Sequence, residues 1–142
     1  MPKLNPYLNF DGKAEEAFNF YKSVFGGEFL GPVTRMSELP GAENLPENEK
    51  KRIVHIALPI GNDILMASDI LPSAGHKLIE GNNNYISIFP DSREEADRLF
   101  NALSEGGVVE MPMADQFWGA YYGSFTDKFG VRWMINYSTN PQ

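Results

Sequence analysis

The sequence predicts an α+β fold made of two β-α-β-β-β units that follow one another along the chain. The first observation is an internal repeat: Phe10–Tyr21 (FDGKAEEAFNFY) and Phe89–Phe100 (FPDSREEADRLF) align without a gap. Glu15 matches Glu94, and the same offset of 79 holds along the whole repeat. The second observation is that strand patterns surround each copy in the same order. Duplication of one supersecondary unit explains both observations.

Both copies of the repeat contain an amphipathic helix. In the second copy, Ser92 followed by Glu95 has the pattern of a capping box, in which the hydroxyl and the carboxylate each accept a backbone N–H. In the first copy, Asp11 or Gly12 takes the cap position. A glycine pair that can adopt positive φ follows each helix. The predicted buried stripes are Ala14, Ala17, Phe18, Tyr21 and Phe25, then Ala96, Leu99, Phe100 and Leu103, and the glycine pairs are Gly26-Gly27 and Gly106-Gly107.

In the first unit, alternation of apolar and polar residues predicts four strands around the helix. The second strand is interrupted by Gly31-Pro32. The segment Ser37–Glu49 has two prolines and no period, which predicts a loop, and the sequence leaves open whether this loop closes as a lid. The predicted strands are Pro6–Phe10, Glu28–Met36, Arg52–Pro59 and Ile64–Ser68, the last two joined by a turn at Gly61-Asn62.

The second unit repeats this order after a linker that contains Pro72, Gly75 and three consecutive asparagines. The sequence therefore divides a single domain into module one at 1–69, the linker at 70–84 and module two at 85–142. Two such units bury their helices on one sheet face and leave the other face to curl around a space for a ligand. The predicted strands of module two are Tyr85–Phe89, Val108–Met111, Trp118–Phe125 and Val131–Tyr137.

The composition limits the classes of function. The chain of 142 residues has 12 basic and 19 acidic residues, and its formal net charge of −7 argues against binding to nucleic acid or to a membrane surface. The absence of cysteine removes disulfides, thiolate nucleophiles and cysteine-ligated zinc. No stretch has the apolar length of a signal peptide or of a membrane span. These features predict a cytoplasmic protein.

The doubled unit, the Glu-Glu-Ala motif of both helices and the run from Asp115 to Asn136 (DQFWGAYYGSFTDKFGVRWMIN) carry a family resemblance. The chain resembles the vicinal oxygen chelate superfamily, which includes glyoxalases, bleomycin-resistance proteins and extradiol dioxygenases such as dihydroxybiphenyl dioxygenase. Within it the chain is similar to the PhnB-like branch, often labelled 3-demethylubiquinone methyltransferase-like. The resemblance covers essentially the whole chain. It implies a glyoxalase-like fold, with two βαβββ modules forming a curved mixed sheet, usually in a homodimer, and a cupped small-molecule site.

Enzymes of this superfamily mostly hold a divalent metal with His and Glu side chains from the first and last strands of each module. Carried onto this chain, those positions are Pro6, Met66, Tyr85 and Met134. A divalent metal prefers carboxylate oxygen or imidazole nitrogen, so these residues are poor ligands, and no metal is predicted. No glycine-rich turn leads from a strand into a helix, so a methyltransferase cofactor site is not predicted either. The sequence thus predicts no cofactor.

Only two histidines, His55 and His76, offer an imidazole for catalysis. His76 lies in the linker, where a solvated loop residue is expected. His55 lies in the middle of a predicted strand between apolar residues. There it is either a hydrogen-bonded core or interface residue, or a base or donor at a ligand site. His55 is therefore the predicted catalytic residue if the protein is an enzyme.

Aromatic and methionine residues are predicted to line the ligand site, since walls of this kind with a few polar tips are typical of small-molecule pockets. Alternation places Trp118 and Tyr122 on one strand face and Phe117 and Tyr121 on the other, so one pair packs internally. Arg35 either supplies a positive charge at the rim of the ligand site or forms a surface ion pair. The predicted ligand-binding residues are Trp118, Tyr121, Tyr122, Phe117, Met66, Met134, Trp133 and Arg35.

Two functions remain open from the sequence. The first is a metal-free small-molecule-binding protein that holds a compact hydrophobic or aromatic ligand. The second is a glyoxalase- or dioxygenase-like enzyme with an atypical metal site or with His55 as base. The sequence favours the binding protein, because the positions that would hold the metal carry proline, two thioethers and a phenol.

Overall fold

Two four-stranded mixed sheets, each with a long helix along one face, form the α+β fold that the sequence predicts. The structure is a computed structural model and describes residues 1–138 of the chain. Residues Met1–Ile79 form one compact unit, and the residues from Glu80 onward form the other. The module boundaries stated above stay a prediction, and the last four residues of module two lie outside the described residues. No helix within the described range is long and apolar enough to cross a membrane.

The first unit builds its sheet in the order β1-β4-β3-β2. β1 runs parallel to β4, and the other neighbouring strands are antiparallel. The parallel pair requires a crossover, and α1 provides it. The elements are β1 at Tyr7–Phe10, α1 at Ala14–Phe25, β2 at Thr34–Arg35, α2 at Glu47–Lys50, β3 at Ile53–Ile60 and β4 at Asp63–Asp69.

The helix α1 buries a stripe close to the predicted one. Ala14, Ala17, Phe18 and Tyr21 are fully buried, but Val24 rather than Phe25 completes the stripe. The predicted cap is wrong: Lys13 holds the cap position, and no side chain of the cap residue hydrogen-bonds the helix. The N-terminus of α1 is capped instead by Asp69 of β4, whose carboxylate accepts the backbone N–H of Ala14.

Two further predictions for the first unit are wrong. The predicted strand at 28–36 is reduced to Thr34–Arg35, because Gly31 has a φ of 71° and the following proline has no N–H to donate. The predicted loop at 37–49 contains two 3-10 turns and α2. The buried carboxylate of Glu49 accepts hydrogen bonds from the hydroxyl and backbone N–H of Ser73. These contacts tie the segment to the turn after β4.

The second unit builds its sheet in the equivalent order, β5-β8-β7-β6, again with one parallel pair, β5 and β8. Its strands β6 and β7 differ from the predicted ranges, because β6 continues to Asp115 and β7 begins only at Ala120. The elements are β5 at Ile86–Ile88, α3 at Arg93–Ser104, β6 at Val108–Asp115, β7 at Ala120–Thr126 and β8 at Arg132–Ser138.

The helix α3 follows its predicted stripe and cap. The hydroxyl of Ser92 accepts the backbone N–H of Glu95 at 3.1 Å, as the capping pattern predicts. The stripe packs on β7, where the rings of Phe100 and Phe125 meet edge to face at 5.1 Å. Gly123 permits this packing, because a Cβ at that position would lie 2.8 Å from the Phe100 ring. The helix does not end on its glycine pair, since the C-cap is Glu105 in an extended conformation.

A buried carboxylate fixes each unit. Asp69, at the end of β4, accepts the N–H of Ala14 at the start of α1 at 3.0 Å and the N–H of Ile53 at the start of β3 at 2.9 Å. A negative charge at a helix N-terminus is further favoured by the helix dipole. In the second unit, Asp127 accepts the indole N–H of Trp133 at 2.9 Å as well as N–H groups of its own turn. Asp69 therefore joins α1 to β3, and Asp127 joins its turn to β8.

We expect Asp69→Asn to lower the free energy of unfolding by about 2 kcal/mol, because the amide NH2 group would face one of two buried N–H donors. Urea unfolding of the full chain measures this loss. The matched control is Asp63→Asn, which removes the same charge from an exposed side chain at the start of β4 and should change stability by less than about 0.5 kcal/mol. Equal stability of the two variants would contradict the role given to Asp69.

Candidate functional site

Each sheet has one face covered by its helix and one open face. In the first unit, Asp69 bonds to α1, so the residues of β4 that alternate with it, Met66 and Ser68, lie on the open face. In the second unit, Phe125 packs on α3, so Tyr122 and Met134 lie on the open face. The side chains of these two faces are not covered by the helix of their own unit, although some of them, such as Ser124, are buried.

The open face of the first unit carries a phenol and an imidazole in contact. Tyr7 lies opposite Met66 in the register of β1 and β4 and is 48% exposed. Its hydroxyl lies 3.4 Å from Nδ1 of His55, and the two ring centroids are 5.9 Å apart. His55 is half-buried and pairs with Thr34 of β2. The predicted catalytic residue is thus accessible and has a hydroxyl neighbour that the sequence did not indicate.

The open face of the second unit has a group of aromatic rings at one end. Phe117 and Trp118 lie in the loop between β6 and β7, not in a strand, and are 96% and 52% exposed. Their rings meet edge to face at 5.2 Å, and Trp118 meets Tyr122 in the same way at 6.1 Å. Three of the predicted ligand-binding residues, the exposed Phe117 and Trp118 and the half-buried Tyr122, therefore contact one another in sequence.

A charged cluster of Tyr85, Glu110 and Arg132 lies at the other end of this face. The Tyr85 hydroxyl donates to both carboxylate oxygens of Glu110, at 2.8 and 3.1 Å. Nη1 of Arg132 donates to the same carboxylate at 3.2 Å. Glu110 lies on edge strand β6 and Tyr85 precedes the opposite edge strand β5, and in a flat sheet these strands would be about 14 Å apart. Their side chains therefore reach across the two central strands to form this hydrogen bond.

The hydrogen bond to Glu110 changes the ionisation of Tyr85. It raises the pKa of Tyr85 above its ordinary value of 10.0, because ionisation would place a phenolate against a carboxylate. Tyr121 behaves in the same way on the helix side of the sheet. Its hydroxyl donates to Asp97 at 2.5 Å, and this bond raises its pKa.

Three predicted ligand-binding residues lie away from the open faces. Trp133 is buried in the core, where its indole N–H donates to the carboxylate of Asp127. Tyr121 faces α3, where the guanidinium of Arg93 lies 4.0 Å from its ring centroid. Arg35 donates two hydrogen bonds to Glu15 of α1, at 3.0 and 2.5 Å, and this contact lowers the pKa of Glu15. The ligand-binding role of these three residues stays a prediction.

The residues at the four positions that relatives use for metal do not fit a divalent ion. Pro6 offers only its carbonyl, which accepts the N–H of Met66 at 3.1 Å. Met134 presents a thioether, and the phenol of Tyr85 is engaged with Glu110. Across residues 1–138, no three His, Asp or Glu side chains converge to hold a metal ion. The donor chemistry therefore differs from that of a metal-dependent relative.

Sequence reasoning missed Tyr7 and Glu110 as parts of the open faces. Tyr7 shows no signal besides alternation in a four-residue strand. Glu110 lies at a register shift of β6, where Val109 pairs with Phe125 but Met111 pairs with Ser124. Such an irregularity redirects one side chain without leaving a mark in the sequence pattern.

Comparison with known proteins places this geometry in one family. The model of the glyoxalase/bleomycin resistance protein/dioxygenase superfamily matches residues 3–135. Protein YjdN of Escherichia coli (strain K12) is 34% identical over 143 residues, covering 94% of this chain and 93% of that protein. The crystal structure of protein PA1353 from Pseudomonas aeruginosa is 39% identical, with a TM-score of 0.85 over 99% of this chain and 100% of that chain. A PhnB protein from Bacillus cereus shares the fold, with 24% identity and a TM-score of 0.78 over 96% of this chain and 100% of that chain.

We expect Tyr85 and Tyr121 to ionise above pH 10.0. Since the folded pKa is raised, the stability from each hydrogen bond is fully present below the unfolded pKa and is lost as the pH rises through the folded pKa. NMR titration of 13C-labelled tyrosine measures both values. Glu110→Gln should lower the pKa of Tyr85 alone, and Asp97→Asn should lower that of Tyr121 alone. Unchanged values in both variants would contradict these hydrogen bonds.

Proposed function

The chain belongs to the glyoxalase/bleomycin resistance protein/dioxygenase superfamily, and we propose that it is a metal-free protein that binds a compact apolar or aromatic small molecule. The observation that carries the proposal is the aromatic surface of the second unit, formed by the exposed Phe117 and Trp118 and the half-buried Tyr122. A contiguous exposed apolar surface with polar groups at its border is typical of a binding site. The open face of the sheet supplies that border.

The polar residues of both open faces support binding of a small molecule. In the second unit, the cluster of Tyr85, Glu110 and Arg132 offers donors and acceptors at the end opposite Trp118. In the first unit, Tyr7 and His55 offer a hydroxyl and a ring nitrogen beside the thioether of Met66. A few polar groups of this kind orient a ligand, while the apolar surface contributes most of the affinity.

The donor chemistry supports a site that works without a metal ion. The thioethers of Met66 and Met134 are soft and neutral, and they pack well against apolar ligands of varied shape. A fold of this family does not by itself imply a reaction, because function depends on the residues of the site. Methyltransferase activity is not part of the proposal, since no glycine-rich turn of this chain leads from a strand into a helix.

The contact between Tyr7 and His55 favours a second candidate, a glyoxalase- or dioxygenase-like enzyme in which His55 is the base. The imidazole is half-buried on an open face, and the Tyr7 hydroxyl 3.4 Å away can orient it. Proton abstraction by an imidazole would serve an isomerase of the glyoxalase type. Among residues 1–138, no carboxylate hydrogen-bonds His55 to orient it as in other enzymes with a strong base, so we rank this candidate second.

We include two further properties in the proposal. The first is a homodimer, supported by the edge strand β6, whose residues are almost all exposed and which offers an unpaired backbone edge to a second copy. The second is a cytoplasmic location, supported by the composition. Sedimentation of the purified protein and fractionation of cells measure these properties.

We expect Trp118→Ala to weaken binding of a neutral aromatic probe, 4-phenylbutanamide, about tenfold. The contact between two aromatic rings contributes more binding free energy than the apolar area that it buries. Isothermal titration of the full chain measures the affinity. The control is Val109→Ala, which shortens an exposed apolar side chain whose partner Phe125 faces α3 and should leave affinity unchanged. Absence of binding in the wild type, or equal affinity in Trp118→Ala, would overturn the proposal.

We expect protein purified without chelator to contain Fe, Zn, Ni and Mn well below one ion per chain, because the four family positions hold no suitable ligands. Elemental analysis measures the content. The protein should also leave the hemithioacetal of methylglyoxal and glutathione, and catechol, unchanged. A stoichiometric ion, or turnover that His55→Gln abolishes, would support the enzyme instead.

A further inference from the structure

We infer that the open face of the second unit binds an apolar carboxylic acid in its ionised form, with the carboxylate on Arg132 and the apolar body extending along β8 toward Tyr122 and Trp118. This inference rests on the proposed function and deepens it by naming the chemical class of the ligand. The arrangement that carries it is one guanidinium at one end of the face and exposed aromatic rings at the other.

Arg132 is held in place but retains donors for a ligand. Its side chain is 27% exposed. Nε donates to the carbonyl of Gly81 at 3.0 Å, and Nη1 donates to Glu110 at 3.2 Å. The guanidinium also lies 5.8 Å from the centroid of the Tyr85 ring and hydrogen-bonds the Tyr85 side chain. A guanidinium that is held in one orientation and still partly exposed can donate charge-assisted hydrogen bonds to a carboxylate.

Glu110 uses only part of the hydrogen-bonding capacity of the Arg132 guanidinium. The pair has one contact of 3.2 Å, whereas Arg93 and Asp115 on the helix side form two parallel contacts of 2.9 and 3.0 Å. Glu110 also accepts the hydroxyl of Tyr85 through both oxygens. The Tyr85 bond fixes the carboxylate, so Glu110 is a competing anion that a ligand has to overcome, and its charge lowers the affinity for that ligand.

The strand register gives the length of the ligand. Arg132 pairs with Thr126, and Asn136 pairs with Tyr122 four residues further along β8. Four residues of an antiparallel strand span about 13 Å. The thioether of Met134 lies on the same face midway between them. A ligand whose carboxylate contacts Arg132 therefore reaches Met134 with a short chain and the rings of Tyr122 and Trp118 with a longer one.

A series of phenylalkanoates tests this inference on the full-length protein. Isothermal titration compares phenylacetate, 3-phenylpropanoate, 4-phenylbutanoate and 5-phenylpentanoate with their neutral amides. We expect each acid to bind about tenfold more tightly than its amide, because charge-assisted hydrogen bonds are worth more than neutral ones. Affinity should rise with chain length and fall with added salt.

Two variants and one control assign the effect to Arg132. Arg132→Gln should weaken 5-phenylpentanoate about tenfold and leave 5-phenylpentanamide unchanged. Glu110→Gln should strengthen the acid several-fold, because it removes the competing charge, and a gain of affinity cannot result from misfolding. Arg93→Gln removes the same charge from the helix side of the sheet and should leave both affinities unchanged.

The outcomes separate this inference from the proposed function. If acid and amide bind equally, or if Arg93→Gln weakens the acid as much as Arg132→Gln does, the inference is wrong and the proposed function stands. If Glu110→Gln weakens the acid, the inference is also wrong. If neither acids nor amides bind the wild type, the proposed function fails and the inference fails with it.

Discussion

The carboxylate of Asp69 is the constraint on which the first unit depends. It is buried, and its two oxygens accept one N–H from the helix α1 and one from the strand β3, 55 and 16 residues away in the chain. The parallel pairing of β1 with β4 requires the helix to return over one face of the sheet. Asp69 fixes the start of that helix on the face that the crossover covers. Tyr7, His55 and Met66 lie on the opposite face.

The sequence was most informative where contacts are local. The cap of α3 was predictable, because Ser92 and Glu95 are three residues apart. The buried stripes were predictable for the same reason, since a helix repeats every 3.6 residues. The cap of α1 was not predictable, because its acceptor lies 55 residues away. The length of β2 was overestimated, because the interruption at Gly31-Pro32, which the sequence shows, confines the strand to Thr34–Arg35.

The candidate site was harder to predict than the fold. Strand alternation does not apply to Phe117 and Trp118, because both lie in a loop, and the ring of Phe117, expected on the opposite face, contacts Trp118. Glu110 was missed, because a register shift in β6 turns its side chain toward Tyr85, 25 residues away. The alternation of apolar and polar residues along a strand does not show where such a shift occurs. The chemistry of this face thus depends on an irregularity in an otherwise regular strand.

The two units show why a duplicated fold need not duplicate its chemistry. Residues on the helix side of each sheet are constrained by packing, because volume and apolar character are both fixed in a close-packed core. Exposed residues on the open side do not pack on the helix of their unit, so substitutions there change stability little. In the first unit, the hydroxyl of Tyr7 accordingly lies beside the imidazole of His55. In the second unit, the hydroxyl of Tyr85 donates to the carboxylate of Glu110, which also accepts a hydrogen bond from Arg132. Because Arg132 and Glu110 have no counterpart among these contacts of the first unit, the carboxylate binding that we infer concerns the face of the second unit alone.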